Sequence, residues 1–92
     1  MYEITVKLAA PLRKYAADQR DLHLSGATVG EVLEQMSVTF PALGTRVFKS
    51  PSELNNFIGV YVGRTNIRES DGLACSIRQG DVVTLVVAVA GG

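Results

Sequence analysis

Gly91 and Gly92 stand last in the sequence, behind the β-branched and small residues Val86-Val87-Ala88-Val89-Ala90. Glycine has no Cβ, so such a pair enters backbone conformations and narrow spaces closed to other residues. The chemistry on offer there belongs to the backbone carboxylate. A free carboxylate is a poor acyl donor, because attack must expel an oxide. Coupled to AMP it becomes a mixed anhydride with a good leaving group, and sulfide or a persulfide can then attack to leave a thiocarboxylate. The chain would supply a slender arm and a docking surface, and no acid or base of its own.

No other set of residues offers chemistry of comparable definition. His23 is the sole histidine, flanked by Leu22 and Leu24, which point to the opposite side of a strand; it reads as a surface residue. Cys75 has no second cysteine and no basic neighbour in sequence, so it reads as an inert thiol. A zinc site needs about four ligands at set spacings, and none are present. Gly26, Gly30 and Gly44 are scattered and do not form a phosphate-binding loop. Asp71 and Asp81 fall at turns, an ordinary place for aspartate.

The elements that must position the tail fit in one domain, since the chain has 92 residues. Such a domain buries roughly 60–65% of its unfolded surface, and a 47% apolar composition suffices for one small core. Nine basic residues balance nine acidic ones, which argues against nucleic acid or an anionic membrane as the main partner. A single cysteine fits a reducing compartment. Met1-Tyr2-Glu3-Ile4 is no signal peptide, and no apolar run approaches the ~20 residues of a membrane span. The expectation is a soluble cytoplasmic protein.

Ile4, Val6 and Leu8 alternate with Glu3, Thr5 and Lys7, the period of a half-buried strand, which Pro11 ends. Pro11 to Tyr15 reads as a turn or one helical turn. A second strand follows around Leu22 and Leu24. Thr28 with Glu31 forms a capping box ahead of Val29, Val32, Leu33, Met36 and Phe40, an amphipathic helix stopped by Pro41. Residues 41–56 look irregular and inserted; Leu43, Val47 and Phe48 suit one helical turn, and Ser50 to Glu53 suit the start of another. Phe57 to Val62 reads as an inner strand, Asn66 to Arg68 as a short one, Leu73 to Ile77 as a helical turn and Val82 to Val87 as the last strand. The lone long helix must cover a sheet face. The expected core is Ile4, Val6, Val32, Leu33, Met36, Val60, Val83 and Leu85. On the last strand Val83, Leu85 and Val87 should point inward, leaving Thr84 and an exposed Val86 on the outer side, where an apolar patch would mark a partner site.

The strand–strand–helix order, the Gly80-Asp81 turn into the final strand and the ending Val89-Ala90-Gly91-Gly92 resemble the MoaD/ThiS sulfur carriers. Leu12-Arg13 after the first strand and Leu73-Ala74 before the last turn are weaker matches. The resemblance spans nearly the whole chain. It implies an α+β, ubiquitin-like β-grasp fold: a mixed four- to five-stranded sheet around one main helix, a single domain over 1–92 with a flexible tail at 88–92. The length, the segment 41–56 and Ala88-Val89-Ala90-Gly91-Gly92 are most similar to the family's cysteine-biosynthesis carriers. MoaD-type members are usually shorter, and those of the thiazole pathway shorter still. The tail lacks the prolines common before Val89 in MoaD-type members, which leaves the client open.

Carried over residue by residue, the resemblance makes Gly92 the adenylated, sulfur-bearing terminus and Gly91, Ala90 and Val89 its slender arm. Val86 matches an exposed apolar position on the family's docking face, and Arg13 a basic position near it. The implied partners are an E1-like adenylyltransferase that uses ATP, a sulfur donor, and a client enzyme, either a cysteine synthase or the large subunit of molybdopterin synthase. No cofactor is expected to stay bound, and no catalytic residue or metal site is implied. Alternatives remain: a ubiquitin-like modifier joined to lysines through Gly92, the small subunit of molybdopterin synthase, or a binding module with an inert tail.

Overall fold

A computed structural model describes residues 2–50 and 53–87. Strand β1 (Tyr2–Leu8) turns back antiparallel onto β2 (Asp21–Gly26), with Tyr2 opposite Gly26 and Lys7 opposite Asp21. Between them lies the short helix α1 (Ala10–Arg13), which tightens into a 3-10 turn over Lys14–Ala16. Pro11 suits the first turn of α1, where no backbone donor is needed. Ala17 and Asp18 then take positive φ values of 55° and 61° to reverse the chain.

The main helix α2 (Val29–Thr39) begins as its capping residues require. The Thr28 hydroxyl accepts from Glu31 N–H at 3.2 Å, and the Glu31 carboxylate reaches back to Ala27 N–H at 2.9 Å. One residue after its end, Pro41 opens a second helix, α3 (Pro41–Val47), whose C-terminus runs straight into the paired strands β3 (Phe48–Ser50) and β4 (Glu53–Leu54). The sheet resumes with β5 (Ile58–Val62) and β6 (Thr65–Asn66); two 3-10 turns, Ile67–Glu69 and Gly72–Ala74, lead to β7 (Val82–Val87).

These strands form a five-stranded mixed sheet in the order β2-β1-β7-β5-β6, with a separate β3-β4 hairpin. Only the β1–β7 pair is parallel. The last strand is therefore the central one, paired on both sides. Inward residues of β1, β7 and β5 meet the apolar stripe of α2. Ile4, Val6, Val32, Leu33, Met36, Val60, Val83 and Leu85, the expected core, are none of them more than 3% exposed. No helix among the described residues is long and apolar enough to cross a membrane.

Four local expectations need correction. The short strand expected over Asn66 to Arg68 is Thr65–Asn66, and Ile67 and Arg68 belong to the 3-10 turn that follows. In the segment after α2, the helical turn expected around Leu43 and Val47 is present and longer, as α3, while Phe48 lies past it in β3 and the segment as a whole is regular. Leu43 and Val47, one turn apart on α3, are both fully buried, and Gly44 lets α3 press so close to α2 that a Cβ there would lie 2.6 Å from Ser37 Oγ. Ser50 and Glu53 do not begin a helical turn; they are opposed across the β3–β4 pair, held by Asn55 N–H to Val47 O at 2.8 Å. Pro51 and Ser52 lie outside the described residues. Phe57 is not part of the inner strand. Asn55 Oδ1 accepts from Phe57 N–H in an Asx turn, and the ring stands 53% exposed ahead of Ile58.

Candidate functional site

β7 carries the chain toward the proposed tail, so the surroundings of Val87 define the site. Ile58 lies opposite Val87 on one side, and Leu8 opposite Leu85 on the other. Ala9 N–H donates to Leu85 O at 3.0 Å, which extends the parallel ladder one residue past β1. The described chain thus ends between the start of α1 and the loop before β5. Gly92, Gly91, Ala90 and Val89, the expected arm, lie outside the described residues, as does the whole expected tail 88–92.

The two interface candidates both sit at this end. Arg13 is half-buried on the last turn of α1 and donates from Nε to Leu8 O at 3.0 Å. That bond ties the guanidinium to the carbonyl at the end of β1, one residue from the rung that reaches β7. Val86 points outward, as alternation requires, with Val83 and Leu85 fully buried on the inner side. Val86 is half-buried rather than exposed, and the reason is its partner. Gly59 lies opposite, where a Cβ would meet Val86 Cγ2 at 2.8 Å and Tyr61 Cε1 at 3.6 Å. The valine methyl and the tyrosine edge therefore close over a bare glycine backbone. The result is a half-buried patch, Val86–Gly59–Tyr61, on the outer side of the central strands.

Sequence reasoning missed Gly59, Tyr61 and Phe57. The signal for Gly59 was present: a lone glycine within an apolar strand marks close approach of a neighbour. Phe57 had no such signal, because its exposure depends on the Asx turn of Asn55. Arg68 also escaped notice. Its guanidinium donates to Ile58 O and, at 3.0 Å, to Asn55 O, bracing the loop that borders Val87.

Other features of the surface lie elsewhere. A groove of about 850 Å³ opens on the helical side of the sheet, lined by Gly30, Glu34, Ser37, Gly44, Phe48 and Leu73 among others. It assembles no nucleophile with a base. His23 is exposed on β2 and Cys75 is buried, its carbonyl accepting from Val29 N–H at 3.0 Å. Among the described residues no cluster of three or more His, Cys, Asp or Glu is placed to hold a metal.

A curled five-stranded mixed sheet packed on one main helix, with the final strand at its centre, defines a protein of the β-grasp class. The profile of the ThiS family matches residues 6–92, and the chain belongs to that family. The chain is 35% identical to the sulfur carrier protein CysO of Mycobacterium tuberculosis, over 97% of this chain and 98% of that one. The crystal structure of M. tuberculosis CysO superposes with a TM-score of 0.86 at 33% identity, covering 94% and 99% of the two chains. The small archaeal modifier protein 1 of Methanosarcina acetivorans superposes at 0.88, also at 33% identity, over 100% and 98%. The Amycolatopsis orientalis BexX/CysO complex contains a chain matched at 0.87 and 32% identity, over 97% and 99%.

Proposed function

We propose that this protein is a sulfur carrier whose Gly92 carboxylate is adenylated and then converted to a thiocarboxylate. The observation that carries the reading is the near full-length likeness to a sulfur carrier, joined to a fold in which the central strand leads to the tail. A strand paired on both sides is a firm base from which to extend an arm. Gly91, Ala90 and Val89 add little bulk, so the arm suits a narrow channel. Ordering it costs about 1–2 kcal/mol of backbone entropy per residue, which contacts of the folded body must offset.

Those contacts are assigned to Val86 and its neighbours Gly59 and Tyr61, with Arg13 at the border. An E1-like enzyme supplies ATP chemistry: the Gly92 carboxylate attacks the α-phosphate and pyrophosphate leaves. Sulfide then adds to the acyl carbon and AMP departs, giving the thiocarboxylate. Every proton transfer falls to the partner enzymes. The likeness to CysO favours cysteine biosynthesis as the destination of the sulfur over molybdopterin. The BexX/CysO complex supports the broader point that carriers of this shape dock on partner proteins.

A second reading has its own support. The match to the small archaeal modifier protein 1 favours a chain that is also joined to lysines through the same activated carboxylate. Incubation with an E1-like enzyme, ATP and sulfide tests the first reading. The intact mass should rise by about 16 Da, sulfur in place of oxygen at the acyl carbon. Isopeptide adducts that survive reducing agent, without that mass, would transfer the assignment to the modifier.

A further inference from the structure

The chain is neutral, with nine basic and nine acidic residues, yet its charges are not evenly spread. Arg13 and Lys14 end α1, and Arg20 precedes β2 with its carbonyl accepting from Leu8 N–H at 2.8 Å. Lys7 lies opposite Thr84 on the outer side of the sheet. Arg46, on α3, reaches the same end, because its guanidinium stands 4.8 Å from the centre of the Tyr15 ring. Lys14 Nζ stands 5.3 Å from that same centre. Among the described residues Asp21 lies opposite Lys7, and Asp18 N–H donates to Arg13 O at 2.8 Å. At the other end of the sheet Glu3 is the second residue of β1, Glu31 lies in the first turn of α2 and Asp81 precedes β7.

The pairing at Tyr15 is the informative part. Two cations share one aromatic ring, and neither has a carboxylate within ion-pair distance among the described residues; the single such pair there is Lys49–Glu53. The ring holds each cation by its quadrupole, which keeps two positive charges at one place on the surface. Both cations are exposed, so the positive charge stands open to an anionic group from outside. Lys14 and Tyr15 continue α1, the helix that starts one residue after the Ala9–Leu85 rung. Tyr15 itself is half-buried against the core, so the cations are set on a rigid base.

We propose that Lys14, Tyr15 and Arg46 form a cationic pad that docks an acidic surface of the protein that takes the tail. This rests on the carrier reading, and it adds a contact on α1 and α3, apart from the apolar patch around Val86. The pad steers the tail end toward its partner, so its effect lies in encounter rather than in chemistry. It fits a folded acidic surface better than a phosphate polymer. The pad is compact, and the chain as a whole carries no net positive charge.

The test is adenylation of the full chain by an E1-like enzyme, followed as AMP release across about 0.05–0.5 M salt. The double variant Lys14→Glu, Arg46→Glu should raise KM about 10-fold or more at low salt, with kcat unchanged and the gap closing at high salt. Lys14→Gln, Arg46→Gln should give a smaller rise in the same direction and guards against loss of folding in the reversed variant. Arg78→Glu, at the far end, should leave KM alone. Carbodiimide coupling should join Lys14 to a carboxylate of the enzyme. Normal adenylation with an unchanged KM in the folded variants would overturn the pad alone. Retention of the wild type on single-stranded DNA at about 0.15 M salt, lost in the variants while KM stays constant, would assign the pad to a phosphate polymer and overturn it too. A wild type that no E1-like enzyme adenylates would remove the carrier reading and the pad together.

Discussion

The two sides of β7 use similar residues for different ends. Inward, Val83 and Leu85 are fully buried under α2. Outward, Val82, Thr84 and Val86 are only half-buried. Valine occurs on both sides, so apolar character alone does not separate them. What separates them is what they cover. The inner residues fill a closed volume between sheet and helix. Val86 covers the bare backbone of Gly59 and leaves a flat surface. The fold needs the inner row; the outer row is free to serve a partner.

The widest separation between structure and chemistry should come from deleting Gly91 and Gly92. Thiocarboxylate formation should vanish, while thermal melting stays within experimental error, because two glycines have no side chain to bury. A lowered melting temperature would mean that the tail packs on the body, and the division drawn on β7 would have to move. Leu33→Ala is the inverse experiment. This side chain is fully buried, so its loss should cost about 2–5 kcal/mol by chemical denaturation. The protein still folded at low temperature should keep its kcat for adenylation.

Gly44→Ala tests the packing of the second helix. Its Cβ would fall 2.7 Å from Ser37 Cβ and 3.1 Å from Ser37 Cα, neither of which can swing away. A cost of about 1–3 kcal/mol is expected, and Ser37→Gly in the same chain should recover part of it. Val86→Asp should do the opposite of Leu33→Ala. KM for the adenylating enzyme should rise about tenfold, the loss of about 1.4 kcal/mol of binding, with stability little changed at a half-buried outer position. Equal KM values would take Val86 out of the docking surface.

Much of the fold was legible because its elements carry strong local signals. The period of two in β1, the capping box at Thr28 and the stripe of α2 each decide their own segment, and all eight expected core residues are buried. The errors cluster where a distant contact decides. Pro41 stops one helix and starts another, and only the burial of Leu43 and Val47 against α2 selects the second outcome. Phe57 looked like an inner strand residue until Asn55 turned the chain before it. At the site, Val86 was legible from alternation, whereas its partial cover by Tyr61 and Gly59 depends on register across β5 and β7. The Tyr15–Arg46 contact joins residues 31 positions apart, across an element that the sequence offered only as a single helical turn.

The smallest effect sharpens the comparison most. Thr28→Ala removes one hydroxyl that accepts from Glu31 N–H, while Glu31 keeps its bond to Ala27 N–H. The expected cost is about 1 kcal/mol, read as a drop in melting temperature of about 4–8 °C. Thr28 lies at the far end of the sheet from Val87, beside the start of β1 and across from Ser76. A loosened first turn of α2 should therefore lower stability and leave KM and kcat for adenylation as they were. If KM rose together with the loss of stability, the docking surface would depend on the helix start, and the two sides of β7 would have to be treated as one mechanical unit.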